Sequence, residues 1–203
     1  MKENCKCDLR LRGRVIFFAT GNIHKFNEAK SVLSLYGIAV GMLRLKGDEI
    51  QSDSLKEIAE KSVRSAYDRC HLPVIVEDAG LFIDALAGFP GPYAAYAYKT
   101  IHNDGILKLM HTAENRKAKF QSAIAYFDNA SNQPIVFEGE SNGEITLTEH
   151  TEQGKSGFGF DPIFQPAGSQ KTFAEMTIEE KNGYSHRAMA IRKFAEWYKK
   201  PQA

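Results

Sequence analysis

The chain has 203 residues, of which 43% are hydrophobic and 25% are charged, and its formal net charge at pH 7 is +1. This is the composition of a globular protein with enough apolar residues to bury a core. A net charge this close to zero gives no general reason to expect nucleic acid or a membrane surface as a partner, so an anionic ligand must be bound by a local cluster of charge.

The cysteines and the N-terminus indicate where the protein resides. Cys5, Cys7 and Cys70 are too few for a disulfide framework, which favours a reducing, cytoplasmic environment. Residues 1–14 are basic but lack the apolar stretch of a signal peptide, so we interpret them as a loose extension before a single domain at residues 15–200. No apolar run approaches the ~18 residues needed to span a bilayer.

The first predicted elements are a strand, a turn and a helix. Residues 15–18 form a short apolar run typical of a buried strand. Apolar residues then recur at helical spacing, with Asn22 as the expected N-cap and Gly37 as the expected stop. A second amphipathic helix is predicted over residues 55–67.

A second buried strand is predicted over residues 74–76, ending at the acidic pair Glu77-Asp78. Residues 81–83 predict a separate short strand. Residues 88–92 contain two prolines and two glycines, so we expect a loop there.

The second half of the chain is predicted to be rich in β-strands and then helical. A hairpin is predicted from residues 120–127 and 134–138, followed by a short strand at residues 145–147. A capping box at residues 177–180 and a cap at Ser185 predict two C-terminal helices. The pattern indicates a mixed α/β fold with a long central sheet and two lobes.

One candidate site is the turn that follows the first strand. Thr20, Gly21 and Asn22 lie between a strand and a helix start, where free backbone N–H groups and the helix dipole favour an anion such as phosphate. Lys25, in the first helical turn, could reach the same anion. The alternative is an ordinary strand-to-helix turn with a surface lysine, since the pattern is not a P-loop.

A second candidate is the pair Glu77-Asp78. Ligands of α/β sheets collect at the carboxyl ends of strands, and hard carboxylate oxygens suit Mg²⁺. Glu49 is a weaker candidate ligand in a loop. The alternative is an acidic pair that is simply solvated.

A third candidate is the segment at residues 157–162. Gly157 and Gly159 alternate with Phe158 and Phe160, whose rings could stack on a planar base, while Asp161 could accept hydrogen bonds from ring N–H groups. The alternative is that both aromatic rings pack in the core.

A fourth candidate is a basic cluster at the start of the last helix. Lys181, His186 and Arg187 could offer several donors to a ligand rich in acceptors. A single histidine is more often structural, so the cluster is more informative than any one member.

Taken together, these blocks resemble one family, the inosine/xanthosine triphosphate pyrophosphatases, or Ham1-like enzymes that remove deaminated purine nucleotides. The similarity runs from about Phe17 to Trp197. It includes six collinear blocks, at residues 19–25, 77–80, 88–93, 157–164, 172–176 and 180–187.

The resemblance implies an elongated two-lobed fold around a long central mixed sheet flanked by helices. It also implies a homodimer that uses Mg²⁺ to hydrolyse ITP, dITP and XTP to the monophosphate and pyrophosphate. Asp78 would bind the metal together with Glu49 and would activate the water that attacks the α-phosphorus. Phe158 and Phe160 would flank the base. The implied substrate-binding residues are Thr20, Gly21, Asn22, Lys25, Lys61, Ala79, Phe158, Gly159, Phe160, Asp161, Lys181, His186 and Arg187.

The chain departs from the family pattern in two places. Many members have serine or threonine at the position of Ala79, so a hydroxyl contact to substrate is lost here. Some members carry a basic residue where this chain has Ala94 and Ala95, and Lys99 could take its place.

Three other functions are consistent with parts of the sequence. A Maf-like pyrophosphatase acting on modified pyrimidines or methylated bases would use the same metal, but the blocks at residues 157–161 and 185–187 argue against its base pocket. A non-enzymatic nucleotide sensor would not need the acidic pair. A nucleic-acid-binding module would need a basic stripe, which the sequence lacks.

Overall fold

The computed structural model describes residues 15–45, 50–130, 132–151 and 157–200. The predicted N-terminal extension, residues 1–14, and the predicted metal ligand Glu49 lie outside the described residues.

The described ranges contain seven strands and five α-helices. The strands are β1 Val15–Ala19, β2 Ala39–Leu43, β3 Val74–Ile83, β4 Pro90–Gly91, β5 Lys117–Phe127, β6 Ile135–Ile145 and β7 Phe164–Pro166. The helices are α1 Ile23–Leu35, α2 Leu55–Cys70, α3 Ala94–Leu109, α4 Ile178–Asn182 and α5 His186–Lys199.

The strands form one mixed sheet in the order β2-β1-β3-β5-β6-β7, with β4 paired to β3 outside this path. β1 pairs in parallel with both β2 and β3, whereas β3, β5, β6 and β7 pair antiparallel. Helices cover the sheet, so the predicted mixed α/β class is confirmed. The division into two lobes stays a prediction.

The predicted end of the second strand is wrong. β3 runs without a break from Val74 to Ile83, so Glu77 and Asp78 lie inside the strand, and the separate strand at residues 81–83 is its second half. Each residue of β3 is opposite one of β5, from Val74 opposite Phe127 to Ile83 opposite Ala118. A partner strand of matching length lets the acidic pair remain in extended backbone.

Pairing between strands also explains other differences from the predicted elements. β6 continues through Gly143 to Ile145, because β5 on one side and β7 on the other pair with it there, so no separate strand begins at residue 145. Residues 90 and 91, predicted as loop, pair with β3. β2, β7 and α3 were not predicted.

Local capping places the helices that carry the site. Asn22 caps α1, Ser54 caps α2 and Ser185 caps α5, each with a side-chain oxygen that accepts a backbone N–H bond. The predicted capping box before α4 is present, with Thr177 and Glu180 bonded reciprocally. These caps confirm the predicted starts of the first and last helices.

Three groups of buried apolar residues hold the layers together. The first packs α1 and α5 on one face of the sheet, the second packs α2 on the opposite face, and the third joins α3 to the far ends of β3, β5 and β6. α5 is buried through Ile191, Phe194 and Ala195, as its apolar spacing predicts. In the described part of the chain, no helix is long and apolar enough to cross a membrane.

Candidate active site

The turn between β1 and α1 is already ordered by its own side chains. Asn22 Oδ1 accepts bonds from the backbone N–H groups of His24 (2.9 Å) and Lys25 (3.2 Å), and Thr20 Oγ1 accepts from the N–H of Asn22 (3.1 Å). The Asn22 side-chain NH₂ and the Thr20 hydroxyl proton are further donors. A Cβ at Gly21 would have no atom within 4 Å, so a ligand can approach this backbone closely.

Glu77 and Asp78 face opposite sides of the sheet, because successive residues of a strand point to opposite faces. Ile75, two residues before Glu77, packs with α1 and α5, whereas Val76, two residues before Asp78, packs with α2. The two carboxylates therefore do not form one pair of ligands, as their adjacency in sequence had indicated.

Glu77 is fully buried and is bound by cations rather than facing solvent. Its Oε2 lies 2.8 Å from Lys25 Nζ, and its Oε1 lies 3.0 Å from Arg187 Nε. The Ser122 hydroxyl donates to Oε1 at 2.8 Å. Burial by itself raises the pKa of Glu77, but Arg187 and Lys25 outweigh it and hold the pKa below its usual range. Glu77 thus stays ionised and positions both cations.

Asp78 lines a cleft of about 920 Å³ on the α2 side of the sheet. The turn at residues 20–22, Lys25 and Ala79 line the same cleft, as does Arg44 at the end of β2. The structure therefore brings together the predicted phosphate-binding turn and the predicted catalytic carboxylate. They meet because the parallel strands β2, β1 and β3 are neighbours.

A buried ion network lies on the opposite face, next to this cleft. Lys181 Nζ lies 2.7 Å from Glu28 Oε1 and 2.8 Å from Asp161 Oδ2. Arg187 Nη1 lies 2.5 Å from Glu28 Oε2. Lys25 and Glu77 belong both to the cleft wall and to this set of contacts, so they connect the two.

Glu28 was missed by the sequence reasoning. It is 4% exposed and lies in the apolar stripe of α1 with Ala29, Val32 and Leu33, and this position is the signal that could have identified it. Burial raises the pKa of Glu28, but Arg187 and Lys181 outweigh burial and lower the pKa to about 2. A charged residue at an apolar helical position must find buried partners.

The hydrogen-bond partners of Asp161 in the structure are protein groups, whereas its predicted role was to bind the base. Its Oδ2 accepts bonds from Lys181 Nζ and from the backbone N–H of Phe158 (2.8 Å each). Burial raises the pKa of Asp161, although Lys181 opposes this shift. Asp161 therefore orders its own loop and Lys181, and the direct contact to a base rests on the resemblance alone.

The two phenylalanines of this loop lie in different environments. The Phe158 ring has Lys181 Nζ 4.9 Å and Arg187 Cζ 5.4 Å from its centroid, and His24 stacks on it at 5.2 Å. Phe160 is 3% exposed in the third core group and meets Tyr98 edge-on at 5.5 Å. The prediction that both rings flank a base is therefore corrected: Phe160 packs in the core. Between them, Gly159 adopts a positive φ of +62°.

His186 is buried and neutral. Its ring stacks on Phe120 at 4.8 Å with an interplanar angle of 10°. Burial, with Arg187 nearby, holds the pKa of His186 well below its usual range. Within the described residues its Nδ1 is buried without a hydrogen-bond partner, as expected of a group that meets a ligand.

Two predicted phosphate contacts do not line the cleft. On α2 the cleft is lined by Ile58, Ala59 and Ser62, whereas Lys61 is exposed and is not among the lining residues. On α3 the wall is formed by Tyr93, Ala95 and Tyr96, and Lys99 is exposed further along the helix.

The donor set of the cleft fits Mg²⁺. In the described ranges no group of three or more His, Cys, Asp or Glu side chains forms a complete protein cage for a metal. Mg²⁺ is commonly bound by one or two carboxylates together with phosphate oxygens and water, and Asp78 beside an anion-binding turn is such an arrangement.

Comparison with known proteins identifies the family. A model described as the Ham1 family matches residues 16–197. The chain belongs to the Ham1 family. It is 52% identical over 184 residues to a Methanopyrus kandleri protein named dITP/XTP pyrophosphatase, covering 91% of this chain and 96% of that protein. A Thermococcus kodakarensis protein of the same name is 48% identical over 182 residues, covering 90% and 96%.

The fold is also that of a solved Ham1 protein. The Staphylococcus aureus Ham1 protein superimposes with a TM-score of 0.76 at 28% identity, covering 91% of this chain and 98% of the other. The match to the family model thus runs from β1 into α5.

Proposed function

We propose that this Ham1 protein hydrolyses deaminated purine nucleoside triphosphates, ITP, dITP and XTP, to the monophosphate and pyrophosphate. One observation carries the proposal: a cleft that combines an anion-binding turn with a carboxylate adjoins a buried donor cluster beside the aromatic ring of Phe158. The name dITP/XTP pyrophosphatase, carried by the relatives from Methanopyrus kandleri and Thermococcus kodakarensis, supports it.

The triphosphate would lie in the cleft on the turn that follows β1. Backbone N–H groups at the start of α1, the Thr20 hydroxyl and the Asn22 side chain supply donors. Lys25 Nζ, 20% exposed along its side chain and held by Glu77, supplies a further N–H donor at the place where cleft and ion network meet.

Asp78 would serve as the general base. Its carboxylate would accept the proton of a water molecule as that water attacks the α-phosphorus, with pyrophosphate as the leaving group. Mg²⁺ bound by Asp78, and by Glu49 of the segment outside the described residues, would neutralise charge on the phosphates. The protein side chains would contribute mainly by positioning and electrostatics.

The base would stack on Phe158, with Arg187, Lys181 and His186 at its edge. Inosine and xanthosine carry a 6-oxo acceptor that can bind such donors. The 6-amino group of adenine is itself a donor, so it would leave these donors without an acceptor. Unpaired buried polar groups make discrimination of this kind as large as roughly 10⁴-fold. Glu28 and Glu77 hold the Arg187 guanidinium in place, so the edge donors are ordered before the substrate binds.

We also propose a homodimer that acts in the cytoplasm. The exposed side chains of Phe89, Tyr93 and Tyr96, which are 44%, 42% and 71% exposed, support an interface near the cleft. The sparse cysteines support a reducing compartment. Sedimentation of the purified protein would test the dimer.

The proposed reaction is tested by incubating purified protein with ITP, XTP, ATP or GTP, with Mg²⁺ or with EDTA, and measuring pyrophosphate and orthophosphate separately. We expect Mg²⁺-dependent pyrophosphate from ITP and XTP and little product from ATP or GTP. Orthophosphate with a diphosphate product would move the attack to the γ-phosphorus and contradict the mechanism. No hydrolysis of any purine would favour a modified pyrimidine as substrate.

A further inference from the structure

The positive charge available to a triphosphate in the cleft is smaller than the sequence indicates. Lys181 is 5% exposed and bound between Glu28 and Asp161. Lys25 is paired with the fully buried carboxylate of Glu77 at 2.8 Å. Lys61 does not line the cleft. Of the three expected cations, two are therefore paired with carboxylates and one does not line the cleft.

Arg44 is the one other basic residue among the described residues that line the cleft. Among the described residues that line the cleft, Arg44 and Lys25 are basic and Glu77 and Asp78 are acidic. Lys25 is paired with Glu77, so among these four described residues Arg44 is the cation that offsets the charge of Asp78. Its guanidinium is exposed and has no ion pair within the described residues.

The register of the sheet places Arg44 beside the anion-binding turn. Ala19 of β1 is opposite Leu43 of β2, and the backbone N–H of Thr20 donates to Leu43 O at 2.9 Å. Arg44 directly follows β2, so it emerges at the same edge of the sheet as Thr20. A planar fork of N–H donors at this position suits a phosphate group, which it can bind through two oxygens.

The order of strands indicates which phosphate Arg44 meets. Phe120 of β5, on which His186 stacks, lies on one side of Asp78 in β3, whereas Thr20 and Arg44 follow β1 and β2 on the other. If the base lies on the His186 side and the α-phosphorus lies at Asp78, the β- and γ-phosphates extend toward β2. Two strand spacings of about 4.8 Å separate β3 from β2.

Building on the proposed function, we infer that Arg44 binds the terminal phosphates of the substrate and so holds the pyrophosphate that is released. Arg44 is a substrate-binding residue in this role, and it discriminates a nucleoside triphosphate from the monophosphate product. It supplies the cation that Lys61 does not bring to the cleft.

The test compares Arg44→Ala and Arg44→Lys with wild type by calorimetric binding of pyrophosphate and of IMP, and by steady-state hydrolysis of ITP. We expect Arg44→Ala to weaken pyrophosphate binding and raise KM for ITP about 10- to 100-fold, the size of a lost charge-assisted contact. IMP affinity should be unchanged, and Arg44→Lys should recover part of the loss. Arg69→Ala, an exposed arginine near the end of α2, is the matched control.

Two results would overturn the inference. One is wild-type pyrophosphate affinity in Arg44→Ala, and the other is an equal loss of IMP and pyrophosphate binding, which would indicate a general structural effect. The proposed reaction is judged separately, by whether wild-type protein releases pyrophosphate from ITP. If it does not, pyrophosphate binding by wild type and Arg44→Ala still decides whether Arg44 forms an anion site.

Discussion

At the scale of single residues, the site depends on which face of the sheet each acidic side chain occupies. Glu77 is enclosed by Lys25, Arg187 and Ser122, whereas Asp78 lines the cleft. One carboxylate thus positions cations and the other faces the space where phosphate would bind. Neighbours in sequence have different functions because a strand alternates its side chains.

Asp78→Asn should reduce kcat for pyrophosphate release from ITP by about 10²- to 10⁴-fold, the usual contribution of a general base. Nucleotide affinity should stay within a few-fold, since the amide keeps the shape of the side chain. Asp84→Asn, an exposed acidic residue just after β3, is the control and should keep normal kcat. A near-normal kcat in Asp78→Asn would remove Asp78 from the mechanism.

Glu28→Gln should lower the free energy of unfolding by about 3–5 kcal/mol, because it leaves Lys181 and Arg187 buried with one fewer carboxylate. Urea unfolding at pH 7.5 would measure the loss. The control is Glu60→Gln in the exposed Lys56–Glu60 pair, whose N···O distance is 4.0 Å and whose loss should be below about 1 kcal/mol. Equal losses in the two variants would contradict a structural role for the network.

At the scale of elements, α3 is kinked within its span. His102 has φ 55° and ψ −168°, inside a helix that otherwise runs from Ala94 to Leu109. This combination of angles is found almost only in glycine and costs other residues about 1–3 kcal/mol. The His102 ring meets Tyr98, which in turn meets Phe160 of the base loop, so the kink is packed against the site loop.

His102→Gly should therefore raise the free energy of unfolding, since relief of backbone strain exceeds the roughly 0.5–1 kcal/mol entropic cost of glycine. The expected gain is up to about 2 kcal/mol. Lys99→Gly, at an exposed and regular position of the same helix, should instead lose about 1 kcal/mol. Thermal or urea unfolding of both variants measures the difference, and a loss in His102→Gly would show that the histidine side chain outweighs the strain.

At the scale of the whole molecule, stability should depend on pH through His186. The pKa of its buried ring lies well below 6.5 in the folded protein, and it returns to about 6.5 on unfolding. Below pH 6.5 the unfolded state therefore binds more protons, and the free energy of unfolding falls by up to about 1.4 kcal/mol per pH unit. Glu28, with a folded pKa of about 2, adds a further loss between about pH 4.5 and 2.

His186→Gln should remove the first part of this dependence. The measurement is urea unfolding of wild type and variant at pH 7.5 and 5.5, with exposed His111→Gln as the control. The difference between the two pH values should shrink in His186→Gln and persist in His111→Gln. An unchanged difference in His186→Gln would show that the buried imidazole does not govern acid stability.

The strand and helix starts that rest on local chemistry were predictable. The run of β-branched and aromatic residues before Ala19, the Asn22 cap and the capping box before α4 each act within a few residues. β2 and α3 were missed because their apolar residues follow no clear period, and the length of β3 was missed because only pairing with β5 sustains it.

The sequence by itself determined the family, the mixed α/β class and most of the residues that meet at the site, because these depend on residue type and on collinear spacing. Only the tertiary structure decided which contacts each of these residues makes. Glu28 becomes a partner of Lys181 and Arg187, Phe160 enters the core, and Arg44 reaches the cleft. The physical reason is that charge neutralisation, burial and strand register are set by contacts between residues that are far apart in the chain.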